Sequence, residues 1–471
     1  MNEQLDRFFG DQDIYQVICR YKEMIESNTS CFFDLHEFEE IIDFYIDHDD
    51  SVRAFEAVKI AINYYPFSIP LKLKYAKVLT DKGLNAKAID ILKTIERIDV
   101  YNYEIHLLKG ISFLKLGKQN VAIEEFDKAI KLSREFRDDI VYDIAQSFIS
   151  LNQLSKAIKY LLLAYELNEK NLLVIYELAS CYENLEYWDK SVEYYQKFLE
   201  IDPFAENVWF CLGMAYHRLD RMEEALEAFD YAIALNPLYY SAYYGKGEIL
   251  YKSEDYQRAI SVYNEIFESD RENAQALCLI GDCYIKLGKY DTALDYFYKA
   301  KFIDECFADA WYGLALVYKK FTQFLYSIGD VNRAINLDDD NCKFWFLKAE
   351  IYNEMLKYEE ALKAYSKAIE INPDYCEAWL AYASVYYRLN KIDDAIQVLN
   401  RSYPHTYDVS TINYQLATYY LCKDQIKLAA EYFEKGLTLN FNEHTQYIDR
   451  MEMLFDQQDM HNIISKYQNQ H

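Results

Sequence analysis

The chain has 471 residues, too many for one compact core of ordinary size, so it is read either as several domains or as one extended array. Only 12 glycines and 6 prolines punctuate that length, which suits helices joined by short loops better than a β-rich fold. A formal charge of -27, from 77 acidic against 50 basic residues with no dense Lys/Arg run, opposes a phosphate backbone, and nucleic acid is not an expected partner.

The amino-terminal stretch MNEQLDRFFG has acidic residues near its start and no apolar core segment, so it does not read as a secretory leader. No apolar run approaches the length of a membrane span, and a cytoplasmic protein without a membrane partner is expected. The ten cysteines lack CxxC pairs, and Cys278 and Cys283 are spaced poorly for two ligands on one helical face. Most are expected to be small, buried, reduced core residues.

Residues 1–34 precede any clear repeat, and a helix around Ile14 to Ile25 is expected there, covering the open end of the stack. From residue 35 the chain matches itself at an offset of 34. Units begin at 35, 69, 103, 138, 172, 206, 240, 274, 308, 342, 376 and 410, with Arg137 as the one extra residue, giving twelve repeats over 35–443. Counting each first residue as position 1, position 8 is Gly or Ala in eleven of the twelve units, Ile42 being the exception. Position 20 is Ala or Ser in all of them, from Ala54 to Ala429. Small residues recurring in this way mark a hairpin of two closely packed helices. Polar or Gly turns such as Leu116-Gly117-Lys118 separate the helices, and Pro203, Pro237 and Pro373 close individual units. Residues 444–471, with Tyr447, Met451, Leu454 and Ile463, read as a degenerate further unit capping the other end.

The unit at 206–239 carries Trp209, Leu212, Gly213, Tyr216, Ala225, Phe229, Ala232 and Pro237. This is the W-x2-L-G-x2-Y, A-x3-F and closing P pattern, and the chain resembles the tetratricopeptide repeat family over about nine-tenths of its length. The resemblance implies an all-α solenoid, a right-handed superhelix of about twelve helix-turn-helix repeats with terminal capping helices, whose first helices line a concave groove.

No Gly-rich phosphate loop, HExxH helix or nucleophile elbow appears, and the eight histidines are dispersed. The chain is therefore not expected to be an enzyme, and no cofactor or metal is expected. Pairs such as Glu223-Glu224 and Glu359-Glu360 recur at one turn-side position and read as a solvated face. With positions 4, 7, 8 and 11 turned inward, positions 2, 5, 9 and 12 share a flank, which the resemblance makes the groove wall. Position 5 is unusually apolar: Tyr142, Tyr176, Phe210, Tyr244, Tyr312, Phe346 and Tyr414 stand there, with Leu73, Leu107, Cys278 and Leu380. Such a row either receives an extended peptide or amphipathic helix, or packs adjacent first helices together. Position 13 adds Lys115, Arg218, Lys252, Lys286, Lys320 and Arg388, which either steer an acidic ligand or complement the helix dipole. Together the rows suggest a groove for other proteins or peptides, in particular acidic segments with apolar anchors. The carboxylate clamp known in this family is not carried over, because the relevant first helices here offer Tyr, Phe, Glu and Asp.

One unit departs from the pattern. In 308–341 the second helix reads FTQFLYSIGDVNRAINL, with Tyr326 at a mostly polar position and Gly329 inside the helix; this reads first as simple repeat decay and otherwise as a local bend or exposed apolar patch marking a partner or homo-oligomer surface. The function that fits all of this is a scaffold or adaptor binding partner segments through the groove. The alternative is a non-catalytic regulatory subunit presenting substrates to a separate enzyme.

Overall fold

The computed structural model describes residues 2–27, 31–48, 50–133, 137–406, 409–444 and 447, with side chains described from Ile14. Among them there are 25 α-helices, one short 3-10 helix (Phe441–His444) and no strand. The chain is an all-α solenoid of helix pairs, as its period predicts. Two compact units divide it, residues 1–237 and 238–471.

The first unit opens with α1 (Asn2–Ser27), longer than the helix expected from Ile14 to Ile25. Ile18, Tyr21 and Met24 of α1 are buried in one core with Phe33, Phe38, Ile41 and Tyr45. Six pairs come after it. They are α2/α3 (Leu35–Asp47, Ser51–Tyr64), α4/α5 (Ile69–Asp81, Asn85–Glu96), α6/α7 (Tyr103–Lys115, Gln119–Leu132), α8/α9 (Arg137–Ile149, Leu154–Leu167), α10/α11 (Leu172–Asn184, Trp188–Ile201) and α12/α13 (Glu206–Arg218, Met222–Leu235). The second unit holds α14/α15 (Tyr240–Lys252, Tyr256–Ser269), α16/α17 (Ala274–Lys286, Tyr290–Ile303), α18/α19 (Ala308–Lys320, Phe324–Leu337), α20/α21 (Cys342–Glu354, Tyr358–Ile371), α22/α23 (Cys376–Arg388, Ile392–Ser402) and α24/α25 (Val409–Leu421, Ile426–Leu439). The capping segment expected over 444–471 lies outside the described residues except for His444 and Tyr447, whose ring stacks on Tyr414 with centroids 5.1 Å apart.

The recurring small residues do what their spacing predicts. A Cβ added at Gly213 would lie 2.8 Å from the Phe229 ring, and one at Gly281 would lie 2.7 Å from Phe297. Gly110 meets Phe126 and Gly247 meets Tyr263 in the same way. Position 8 is thus the bed on which the aromatic of the second helix lies, and Ala at position 20 is fully buried in most pairs. First helices are capped where an Asp or Asn precedes them. Asp34 and Glu37 form a reciprocal capping box on α2, and the side chains of Asn102, Asn171, Asn273 and Asn341 accept backbone N–H bonds at the starts of α6, α10, α16 and α20. A left-handed residue closes the turn between paired helices: Gly83, Gly117 and Gly288, but also Asn152, Glu186, Asp220, Glu254, Thr322, Leu356, Asn390 and Asp424.

One expectation, that most cysteines are buried, is corrected. Helix α19 runs unbroken through Gly329, and nothing lies within 4 Å of where a Cβ there would stand. The apolar exposure expected in that unit is present, with Leu325 81% and Tyr326 67% exposed. Of the cysteines, only Cys181, Cys278 and Cys283 are buried, while Cys19, Cys306 and Cys422 are exposed, because Cys also fills positions outside the helix-pair core. No helix among the described residues is long and apolar enough to cross a membrane.

Candidate functional site

The position-5 side chains do not stand free on a solvent face. Their rings are half-buried, and Tyr414 is fully buried, because most lean onto the aromatic of their own second helix or onto the start of the next pair. Tyr176 meets Tyr195 and Phe198 with centroids 6.1 and 6.2 Å apart, and Phe210 meets Phe229 at 5.8 Å. Tyr312 lies 5.1 Å from Phe344, while Phe346 touches Tyr365 at 5.7 Å and Tyr375 at 5.0 Å. The hydroxyls are used as well: Tyr142 accepts from Gln146 Nε2 at 2.8 Å, Tyr244 donates to Asn273 Oδ1 at 3.0 Å, and Tyr414 donates to the Asn440 carbonyl at 2.8 Å. Burial raises the pKa of Tyr142, Tyr176, Tyr244 and Tyr312, so their hydroxyls stay un-ionised beyond the ordinary tyrosine range.

The position-13 cations are exposed, and most engage a neighbour in the array. Lys115 donates to the Thr80 carbonyl at 3.2 Å, at the end of the preceding first helix, and pairs with Asp81. Lys252 pairs with Glu248 at 2.6 Å, Arg218 lies 5.8 Å over the Trp188 ring, and Lys286 lies 5.9 Å over Tyr251. Lys320 and Arg388 are exposed at the ends of α18 and α22.

In the first unit the flank of the first helices opens into a cleft of about 620 Å³. It is lined from α4, α6 and α8 by Lys77, Glu104, Leu107, Ile111, Lys115, Asp139, Asp143 and Gln146 among others, which are mainly positions 2, 5, 6, 9 and 13 of their units. Apolar floor and charged walls alternate. Desolvation raises the carboxyl of Glu104 against the opposing pull of Lys74 and Lys77, and it raises that of Asp143 against Lys77. Gln146 Nε2 also donates to Glu177 Oε1 at 2.9 Å, fixing the amide at the cleft wall. The corresponding flank of the second unit holds Asp282, whose carboxyl desolvation and the neighbouring Asp309 push up to about 7 against Lys343 and Lys286. In the same unit Lys319 bridges Glu350 at 2.8 Å and Glu354 at 3.3 Å.

Sequence reasoning missed a buried ionic cluster in the third repeat. His106 and Lys109, at positions usually apolar, meet Glu125 of α7 and Glu96 of α5. His106 Nδ1 lies 2.7 Å from Glu125 Oε2, Lys109 Nζ lies 3.0 Å from Glu125 and 3.1 Å from Glu96, and Lys128 closes the set at 2.8 Å. Ligand atoms of Glu96, His106 and Glu125 come within 4.8 Å of one another. Lys109 already supplies the positive charge between the two carboxylates, so the cluster is built around an ammonium and is a poor fit to a metal ion. The sequence signal was available, in the polar residues at positions 4 and 7 of that unit.

Similarity to known proteins falls on the repeats. Tetratricopeptide repeat models match residues 103–136, 139–171, 176–240 and 354–409, and the model described as anaphase-promoting complex, cyclosome, subunit 3 matches residues 220–300. No curated protein sequence matches the chain. Among solved structures, MamA is 25% identical over 36% of this chain and 94% of its own, with a TM-score of 0.35. TTC0263, a thermophilic TPR protein of Thermus thermophilus, is 23% identical over 39% and 100%, with a TM-score of 0.35. YrrB, a TPR protein with an unusual peptide-binding site, is 21% identical over 40% and 96%, with a TM-score of 0.30. The period, the small-residue bed under each aromatic and the family matches spread along the chain agree, and the chain belongs to the tetratricopeptide repeat family.

Proposed function

We propose that this protein is an interaction scaffold that receives a peptide or helical segment of a partner along the first-helix flank of its first unit. The observation that carries the reading is the cleft lined by Lys77, Glu104, Leu107, Asp139, Asp143 and Gln146, where an apolar floor offers anchor sites and charged walls offer direction. The position-5 rings are committed to packing; in this cleft position 5 is Leu107, which forms the buried floor, and the half-buried Ile111 meets the ligand. Three carboxylates against two lysines favour a segment that pairs apolar anchors with a basic residue. An acidic segment with apolar anchors is the second reading, favoured by the exposed cations Lys286, Lys320 and Arg388 in the second unit.

A photo-crosslinking amino acid placed at Ile111 or Gln146, and at the exposed Leu325 as control, tests the placement in an extract of the source cells. The reading expects one partner protein crosslinked from 111 and 146 and not from 325. Combined Glu104→Lys and Asp143→Lys should abolish that crosslink for a basic segment and strengthen it for an acidic one. A crosslink equally strong from 325, or one indifferent to the charge reversal, sinks the proposal.

A further inference from the structure

On the second-helix side of the first unit, α11, α12 and α13 enclose a notch of about 470 Å³. Its aromatic wall is Trp209 stacked on Tyr231, centroids 4.4 Å apart and planes 25° from parallel, with Tyr216 beside them. Tyr231 is 55% exposed. Glu200 and Glu227 stand at the rim, neither in an ion pair or side-chain hydrogen bond among the described residues, and no lining residue is cationic. The third rim carboxylate, Glu224, is held by Arg221 at 2.9 Å.

The same register recurs in the second unit around Trp311. Both indoles donate to a loop carbonyl at 2.9 Å, Trp209 to Pro203 and Trp311 to Glu305, so the two rings are seated alike. Around Trp311, however, the chain fills the ring's surroundings with its own cations: Lys301 Nζ lies 3.8 Å from the ring centroid and Arg333 Cζ lies 5.8 Å from it. In the Trp209 repeat Leu199 stands where Lys301 would be and Tyr231 where Arg333 would be, while Glu200 and Glu227 stand in place of Phe302 and Gly329. One copy of the site has cations over its indole; in the other, the chain's Arg221 is spent on Glu224 and on the neighbouring Tyr216 ring, 4.5 Å from its centroid, and no cation of the chain is placed over Trp209 or Tyr231 among the described residues.

We infer that the Trp209 notch is a receptor for an arginine side chain of a partner protein. A guanidinium stacks flat on the Tyr231–Trp209 wall while its N–H groups reach Glu200 and Glu227, a combination that its planar fork makes and a lysine ammonium makes less well. The site is separate from the first-helix cleft and stands whether or not that cleft binds a segment.

The test is an anisotropy titration of the full chain against a fluorescent capped nonapeptide carrying three arginines spaced by Gly and Ser. Matched peptides carry citrulline, a neutral isostere, or lysine. The arginine peptide should bind about tenfold more tightly than the citrulline one, with lysine between. Tyr231→Ala should weaken arginine binding about fivefold, and Glu200→Gln with Glu227→Gln by more. Tyr231→Arg, which supplies a cation as the Trp311 copy does, should abolish binding by filling the notch, with unchanged helicity showing that the variant folds. Glu359→Gln with Glu360→Gln in the other unit should leave binding unaltered. Equal binding of the citrulline peptide, indifference to the Tyr231 and Glu200/Glu227 changes, an equal loss from the Glu359/Glu360 pair, or no binding at millimolar peptide each overturns the assignment.

Discussion

The third and sixth repeats have the same two-helix backbone and the same glycine beneath an aromatic ring, yet they are filled by opposite chemistries. In the sixth, positions 4 and 7 are Trp209, stacked on Tyr231 beneath a carboxylate rim, and the buried Leu212, with no buried ion pair between the helices among the described residues. In the third, His106 and Lys109 hold those positions and the space between pairs is closed by Glu96, Glu125 and Lys128. The difference shows that the glycine-on-ring contact sets the hairpin, whereas positions 4 and 7 tolerate charge wherever the adjacent helices supply its complement.

The largest effect should come from removing that complement. Glu125→Ala takes the central carboxylate from His106, Lys109 and Lys128, leaving Glu96 to Lys109 and His106, and should cost about 3–5 kcal/mol, read by urea unfolding and by loss of amide protection in α6 and α7. Replacing His106, Lys109 and Glu125 together by Leu should return at least the original stability, because the sixth repeat shows that the backbone accepts an apolar filling. A triple variant no more stable than Glu125→Ala would break the comparison. Next come the glycines. Gly110→Ala and Gly213→Ala should each lose about 1–3 kcal/mol, since both methyls overlap a ring; a loss in one repeat alone would mean that the two hairpins are not set in the same way.

Titration sharpens the contrast between complemented and uncomplemented carboxylates. Burial opposes the charge on Glu125, but hydrogen bonds from Lys128, His106 and Lys109 outweigh it and hold the carboxyl down at about 2. Its folded value lies below the unfolded one, so its contribution is present above about pH 4.5 and is lost as pH falls toward 2. Asp282 has the opposite sign. Its folded value, about 7, lies above the unfolded 3.8, so the stabilisation is complete below that lower value and is lost as pH rises through 7. Asp282→Asn should therefore flatten the pH dependence of amide protection in α16 between 4 and 7, and Glu125→Gln should flatten that of α6 below 4.5. An unaltered profile in either variant would show that the carboxylate is not the group responsible. The smallest effect is a gain. Gly329→Ala meets nothing and should stabilise α19 by about 0.5–1 kcal/mol, the reverse of the losses at Gly110 and Gly213.

Most of the fold was legible because it rests on a period: small residues at positions 8 and 20 of each unit announce the hairpin without reference to distant sequence. The site was less so. The position-5 row reads as apolar, but its burial depends on rings such as Tyr195, Phe229 and Tyr365 arriving from the second helix, and spacing alone does not reveal which faces meet. The partners of Lys109 come from two helices, α5 of the preceding repeat and α7 of its own, so the polar residues were visible while their complement was not. Glu200 and Glu227 likewise belong to different repeats and converge only through packing.

The left-handed residue in each described turn bears on how such a chain changes over time. Only three of the eleven are glycine, although residues such as Glu186, Thr322 and Leu356 hold that conformation at a steric disadvantage. The hairpin therefore keeps the length of its turn more strictly than the identity of the residue there. A copying error that alters one letter of a turn is absorbed, while one that adds or removes a letter must be taken up within that turn, because the helices on either side are bound to each other by their own small residues. Glycine at these turns is unused headroom for stabilising the array.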